Sequence, residues 1–403
     1  MNRYGLRICL TLIVAMTLSC SDERIQTPTP NVRSLSVNEA EIAGSANNFT
    51  FDIMTRIEEE QPEENYFISS FSVSTAISMV MNGANERTQE QFIQTLGLEG
   101  MSPEAINEAY KSLTEYIYSL DPSVTLNVAN SNWYSNEFTI KSKFANTLET
   151  FYDAEVFARD FSDPATLAAL NGWVEKETNG KIKNILDAIN PADVMFLVNA
   201  IYFKADWTTQ FEPNKTKDAP FFLANNQSVN VPTMTGKVKH WLAYDNKLNA
   251  QIIELPYGNE NYAFTIIMPD DAAEINGLVS KLNVSSLNQV LADSSTWVGD
   301  LYLPKFQLDF KSDLLDILVD MGLPKTGLDE LFEEEVPLAI NKVIHQSFLE
   351  VNEEGSEAAA ATAIGVELTS APPATTINKP FIFLIRERNS GTILFSGKLL
   401  DPR

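Results

Sequence analysis

Hydrophobic positions in this chain change period from one stretch to the next. Phe49, Ile53 and Ile57 recur every four residues, the spacing of one buried helix face. VSTAISMVM (73–81) is apolar at most positions and reads as a helix buried on all sides. Thr88-Gln89-Glu90-Gln91 carries a capping-box signature and predicts a helix start, followed by Phe92, Ile93 and Leu96. Later the pattern shifts to short, nearly continuous apolar runs. VMFLVNAIYFKADW (194–207), QIIELPYG (251–258), YAFTIIMP (262–269) and LYLPKFQLDF (301–310) predict strands. So do HQSFLEVNE (345–353), KPFIFLIRE (379–387) and ILFSGKL (393–399). Several are apolar on both faces, which assigns them to central strands of covered sheets. Helices gather early and much of the strand content comes late, an α+β arrangement.

One stretch fits neither pattern. Residues 353–365 read EEGSEAAAATAIG. Alanine favours helix and is depleted in strands, yet this run leads into a β-branched, proline-bearing tail. It carries no catalytic group and no metal ligand. Three readings stay open on the residues alone: a surface helix, a linker, or a strand that must fit somewhere tight.

Composition changes the picture little. The chain has 403 residues, 44% hydrophobic, enough to bury a large core. Its 54 acidic and 29 basic residues leave a formal charge of -25, which repels nucleic acid and anionic lipid. No basic cluster suggests a heparin-like cofactor.

The N-terminus, MNRYGLRICLTLIVAMTLSCSDER, has Arg3 and Arg7 ahead of an apolar run from Ile8 to Leu18. That run is too short to span a bilayer as a helix. Leu18-Ser19-Cys20 resembles a bacterial lipoprotein signal, with Thr17 where leucine is usual; an ordinary cleaved signal peptide is the alternative. Ser21-Asp22-Glu23 resembles the acidic tag that directs lipoproteins of Bacteroides-like bacteria to the cell surface. The expectation is a signal over 1–19, lipidation at Cys20, a polar tether over 20–36 and one domain over 37–403. It places the protein at the outer membrane, with secretion or a periplasmic location as alternatives. The membrane is reached only through the Cys20 lipid. Cys9 and Cys20 are the only cysteines, and Cys9 lies in the leader, so the mature chain holds no internal disulfide.

Enzyme signatures are missing. His240 and His345 are the only histidines, and neither has a second ligand at metal spacing. There is no HExxH, P-loop, paired CxxC, GxGxxG or nucleophile elbow. A nucleophilic triad needs a base, usually histidine, and His345 sits in a predicted strand beside Ile344 and Phe348. Carboxylate pairs are too abundant to argue for a glycosidase. No metal and no cofactor is expected.

Several motifs, in order, resemble the serpins, the serine protease inhibitors. FISSFSVSTAISMVMNGANERTQEQF (67–92) is similar to the family's F-x-S-P-x-S-x-x-x-A segment, with Ser70 in place of proline. NGWVEKETNGKI (171–182) is similar to N-x-W-V-x-x-x-T-x-G-K-I, and LVNAIYFKADW (197–207) to N-x-x-x-F-K-x-x-W. NVPTMTG, ELPYGNENYAFTIIMP, LPKF and NKPFIFLIRERNSGTILFSGKLLDP follow in order. The match weakens between Met321 and Leu338.

The resemblance implies three sheets, about eight or nine helices, and an exposed reactive-centre loop. The alanine-rich stretch then resembles that loop's hinge: Glu353, Glu354, Gly355, Ser356, Glu357, Ala358, Ala359, Ala360, Ala361 and Thr362. After cleavage by a target protease, the loop inserts as a new central strand and traps the covalent acyl-enzyme. Inward residues Ser356, Ala358, Ala360 and Thr362 are small, as a site between packed strands requires. Roughly 14 inserted residues carry the protease roughly 45 Å. The family's supporting residues carry over as a shutter (Ser69, Ser72, Asn199, His345) and a breach (Trp207, Lys305, Glu353), with Lys305–Glu353 an ion pair gating entry. The scissile bond is expected at Thr369–Ser370, with Leu368–Thr369 as the alternative and Val366–Glu367 behind it. A small β-branched Thr369 suits an elastase-like protease, and Leu368 a chymotrypsin- or papain-like one. The expected inhibitor is a monomer. A non-inhibitory serpin that binds or scaffolds is the other reading.

Overall fold

The computed structural model describes residues 32–356 and 374–403. Eight α-helices lie among them: α1 (Val37–Glu60), α2 (Ser70–Met81), α3 (Glu86–Thr95), α4 (Pro103–Ser119), α5 (Ser142–Tyr152), α6 (Pro164–Glu177), α7 (Val284–Ala292) and α8 (Leu315–Asp320). The early strands are β1 (Tyr66–Ile68), β2 (Thr125–Ser135), β3 (Glu155–Arg159), β4 (Met195–Asp206), β5 (Lys217–Phe222) and β6 (Ser228–Asp245). Then come β7 (Ala250–Tyr257), β8 (Tyr262–Pro269), β9 (Ser295–Pro304), β10 (Phe306–Asp313) and β11 (Ile344–Val351). The last are β12 (Gly355–Ser356), β13 (Thr375–Thr376), β14 (Phe381–Glu387) and β15 (Ile393–Leu399).

Local chemistry sets the helix starts. Ser36 and Glu39 form a reciprocal capping box at α1. Inside the expected tether, Arg33 pairs with Glu39 at 2.6 Å and its carbonyl accepts from Tyr116. The capping signature at Thr88 misplaced a helix start. α3 begins earlier, because Asn85 is the cap and accepts from the Thr88 amide at 3.0 Å. Asparagine caps as well as threonine, and Thr88 falls on the third helical position.

The strands make three sheets. A nine-stranded one runs β1-β15-β14-β8-β7-β6-β9-β13, with β5 on β6. Every residue of β8, β14 and β15 is buried: the apolar ones as their nearly continuous runs imply, and Arg386, Glu387 and Lys398 with them. Phe67 stacks on Phe395 at 5.1 Å and on Phe383 at 5.8 Å, joining β1 to this core. A second sheet runs β12-β4-β2-β3. The third is the β10-β11 pair. Helix α2, buried along most of its length, runs beneath β4.

Candidate functional site

β4 and β11 run side by side in the same direction, yet no ladder joins them. Their C-terminal ends are tied together. The Trp207 indole donates to the Asn352 carbonyl at 2.9 Å, and its amide donates to Glu354 O at 2.8 Å. The Phe211 amide donates to Glu353 O at 2.8 Å. The ring of Trp207 stacks on Tyr257 at 4.5 Å and 9°.

Between these ends the chain turns back. Gly355 and Ser356 form β12 and pair antiparallel with Asp206 and Ala205 of β4. A Cβ on Gly355 would strike the Ala205 carbonyl and stand 2.6 Å from Asp206 Cα, so only glycine fits this approach. Ser356 lies opposite buried Ala205 and is itself buried; its hydroxyl meets Tyr257 Oη at 2.9 Å.

An ion pair closes the same end. Lys305 Nζ stands 2.7 Å from Glu353 Oε2, and Thr216 donates to Glu353 Oε1 at 2.6 Å. Burial pushes the Glu353 carboxyl up, but the hydrogen bonds from Lys305 and Thr216 together outweigh it and hold it below its ordinary value.

Away from this end the strands stand apart over a cleft of about 270 Å³. Val73 and Ile77 of α2, Leu197 of β4, Ile344 of β11 and Val343 just before it line the cleft. Ser72, Asn199 and His345 also border it. Their contacts form one chain. Ser69 caps α2 by accepting from the Ser72 amide at 3.2 Å, and its hydroxyl donates to Leu394 O at 2.8 Å. The Ser69 amide donates to His345 Nε2 at 3.3 Å. The Ser72 hydroxyl donates to Asn199 Oδ1. Asn199 Nδ2 donates to Asn130 Oδ1 at 2.6 Å, and Asn130 Nδ2 to the Tyr152 carbonyl at 2.7 Å. Burial lowers the His345 imidazole to about 4, so it is neutral, with Nε2 free to accept.

Ser69, Ser72, Asn199 and His345 thus form one hydrogen-bonded group; Lys305 pairs with Glu353, and Trp207 holds the carbonyls on either side of Glu353. Sequence reasoning missed three participants. Asn130 was signalled only by polar residues inside the strand NVANSN. Thr216 and Tyr257 carried no signal, since their roles come from pairing across distant segments. Glu357, Ala358, Ala359, Ala360, Ala361 and Thr362 lie outside the described residues, as do Leu368, Thr369, Ser370 and Cys20. Among the described residues no cluster of three His, Cys, Asp or Glu side chains could hold a metal. No described helix is long and apolar enough to cross a membrane.

The chain is similar to known proteins along nearly its whole length. The family model described as "Serpin (serine protease inhibitor)" matches residues 44–402. Leukocyte elastase inhibitor of Sus scrofa is 32% identical over 383 residues, covering 90% of this chain and 100% of that protein. An uncharacterized serpin-like protein of Thermococcus kodakarensis is 32% identical, covering 91% and 87%. Among solved structures, human thyroxine-binding globulin complexed with thyroxine superposes with a TM-score of 0.83 at 28% identity, covering 91% and 99%. Native tengpin, a thermophilic serpin, superposes at 0.81 with 26% identity, covering 93% and 97%. The split sheet, the strand that turns back into it and the match along nearly the whole chain lead to one conclusion: this protein belongs to the serpin family.

Proposed function

We propose that the protein is an inhibitory serpin, a suicide substrate for elastase-like serine proteases. One observation carries the reading: Gly355 and Ser356 already pair with the C-terminal end of β4, the strand whose opposite end borders an open apolar cleft. Continuing that register puts Ala358 opposite Phe203, Ala360 opposite Ile201, Thr362 opposite Asn199 and Ile364 opposite Leu197. Ala205, Phe203 and Ile201 are buried, so these loop residues would face inward. Small residues then meet the closed end, and Ile364 and Val366 reach the apolar cleft.

The proposed chemistry is short. The protease serine attacks the Thr369 carbonyl; the bond to Ser370 breaks, leaving an ester at Thr369 and a free amine on Ser370. The freed strand adds about a dozen rungs along β4, a travel of roughly 40 Å. At about 1 kcal/mol net per hydrogen bond, plus buried side chains, the driving force is on the order of 10 kcal/mol. That suffices to distort the acyl-enzyme before water attacks. The polar group at Ser69, Ser72, Asn199 and His345 serves as the latch that parts, and Lys305–Glu353 as the gate.

Incubation of residues 32–403 with elastase, followed by a denaturing gel, tests the proposal. A band surviving SDS at the summed mass supports it. Clean cleavage without that band, with no gain in thermal stability, favours a non-inhibitory binding serpin. The proposal extends to the leader: labelled fatty acid should enter the full chain and be lost in Cys20→Ala, and unlabelled wild type would remove the anchor.

A further inference from the structure

β13 is a short anchor. Only Thr375 and Thr376 pair with β9, opposite Leu301 and Tyr302, and the Ile377 amide adds a bond to Tyr302 O at 2.9 Å. This anchor holds the C-terminal end of the segment read as bait.

Under it lies His240 of β6, fully buried. Its Nδ1 meets the Val238 carbonyl at 3.1 Å and its Nε2 meets Thr375 Oγ1 at 3.0 Å. A carbonyl only accepts, so Nδ1 carries the ring proton and Nε2 accepts from the Thr375 hydroxyl. We infer that His240 is a positioning residue for the bait, its neutral imidazole holding Thr375 on β9 and its protonation loosening that anchor. The inference rests on the reading of residues 357–373 as the inhibitory loop.

Among the described residues packed around it, none supplies a counter-charge. A proton on Nε2 meets the Thr375 hydroxyl proton, and that hydroxyl must turn away inside a buried site. Inward positions of β6 (Val238, Leu242) and β9 (Trp297, Gly299, Leu301) carry no ionisable group, nor does any residue of α7, which packs on β6. Lys237, Lys239 and Asp300 alternate to the outer face. Lys239 is held by Glu260, Lys215 beside β6 by Glu212, and Glu254 of β7 by Arg386 and Arg388. Burial accordingly lowers the His240 imidazole from its ordinary value. With the anchored form depressed, anchoring is intact above about pH 6.5 and weakens as the pH falls below it.

Amide exchange at Ile377 in the full chain, corrected for intrinsic pH dependence, tests this without any protease. Wild type should lose protection up to about tenfold between pH 7.5 and pH 5.5. His240→Phe should show no such fall. Should that variant not fold, Thr375→Val serves: its protection should already be reduced at pH 7.5. Equal protection at both pH values in wild type, a fall preserved in His240→Phe, or full protection in Thr375→Val would each overturn the inference. The gel with elastase tests the bait reading separately, so a chain that traps nothing still reports on the anchor.

Discussion

Gly355 lies against the backbone of Ala205 with no room for a side chain. This contact would set the register of every later rung in the proposed insertion. Gly355→Val should push β12 off β4 and destabilise the native chain by about 1–3 kcal/mol. It should also delay insertion, so that more chains are cut and released than trapped. Denaturant unfolding and the ratio of trapped to cleaved bands check both effects; unchanged values would separate Gly355 from insertion.

The register also separates neighbours. In the proposed inserted strand, Thr362 would come opposite Asn199 on the inward side and Ala361 on the outward side. An inward arginine would carry an unpaired charge beneath the sheet, at a cost of several kcal/mol. If the chain traps its protease as proposed, Thr362→Arg should turn it into a substrate, with at least a tenfold loss of trapping. Ala361→Arg should leave trapping within about twofold. The same loss in both variants would refute the alternation.

Lys305 and Glu353 differ in exposure, 37% and 10% for their side chains. Removing the lysine leaves a largely buried carboxylate with only Thr216 beside it. Lys305→Met should cost about 1–2 kcal/mol at neutral pH, reduced from a fully buried pair by the solvent at the lysine. It should also speed entry of a synthetic peptide copying residues 355–366. Peptide incorporation at the wild-type rate would mean the pair gates nothing.

Much of this was legible in the sequence, and the exceptions have physical causes. The nearly continuous apolar runs at 262–269, 381–387 and 393–399 identify buried strands because both faces are covered. Ser69, Ser72, Asn199 and His345 come together where motif order implies, yet Asn130 completes their network from a strand whose register no local pattern reveals. The start of α3 at Asn85 rather than Thr88 shows two good caps competing within one turn. The opening between β4 and β11 could not be read at all, because both are good strand sequences and only their separation makes the cleft.

His345 gives the native state an acid limit. Its imidazole, near 4 in the folded chain, lies below the ordinary histidine value of 6.5. The folded state favours the neutral ring, so stability is full above about pH 6.5 and falls as pH drops toward 4. The loss attributable to His345 should reach about 1 kcal/mol by pH 5.5. Above about pH 5.5 most carboxylates remain ionised, so there the chain's other histidine, His240, is the main competing group. His345→Gln should flatten the profile measured by denaturant unfolding; an identical slope would clear His345 of the effect.

The most direct test of strand insertion is the melting temperature of wild type before and after a single cut between residues 366 and 370. The proposed insertion would add about a dozen rungs to β4, so the cut chain should melt on the order of 10–20 °C higher than the intact one. A cut chain that melts at the same temperature or lower would contradict the mechanism.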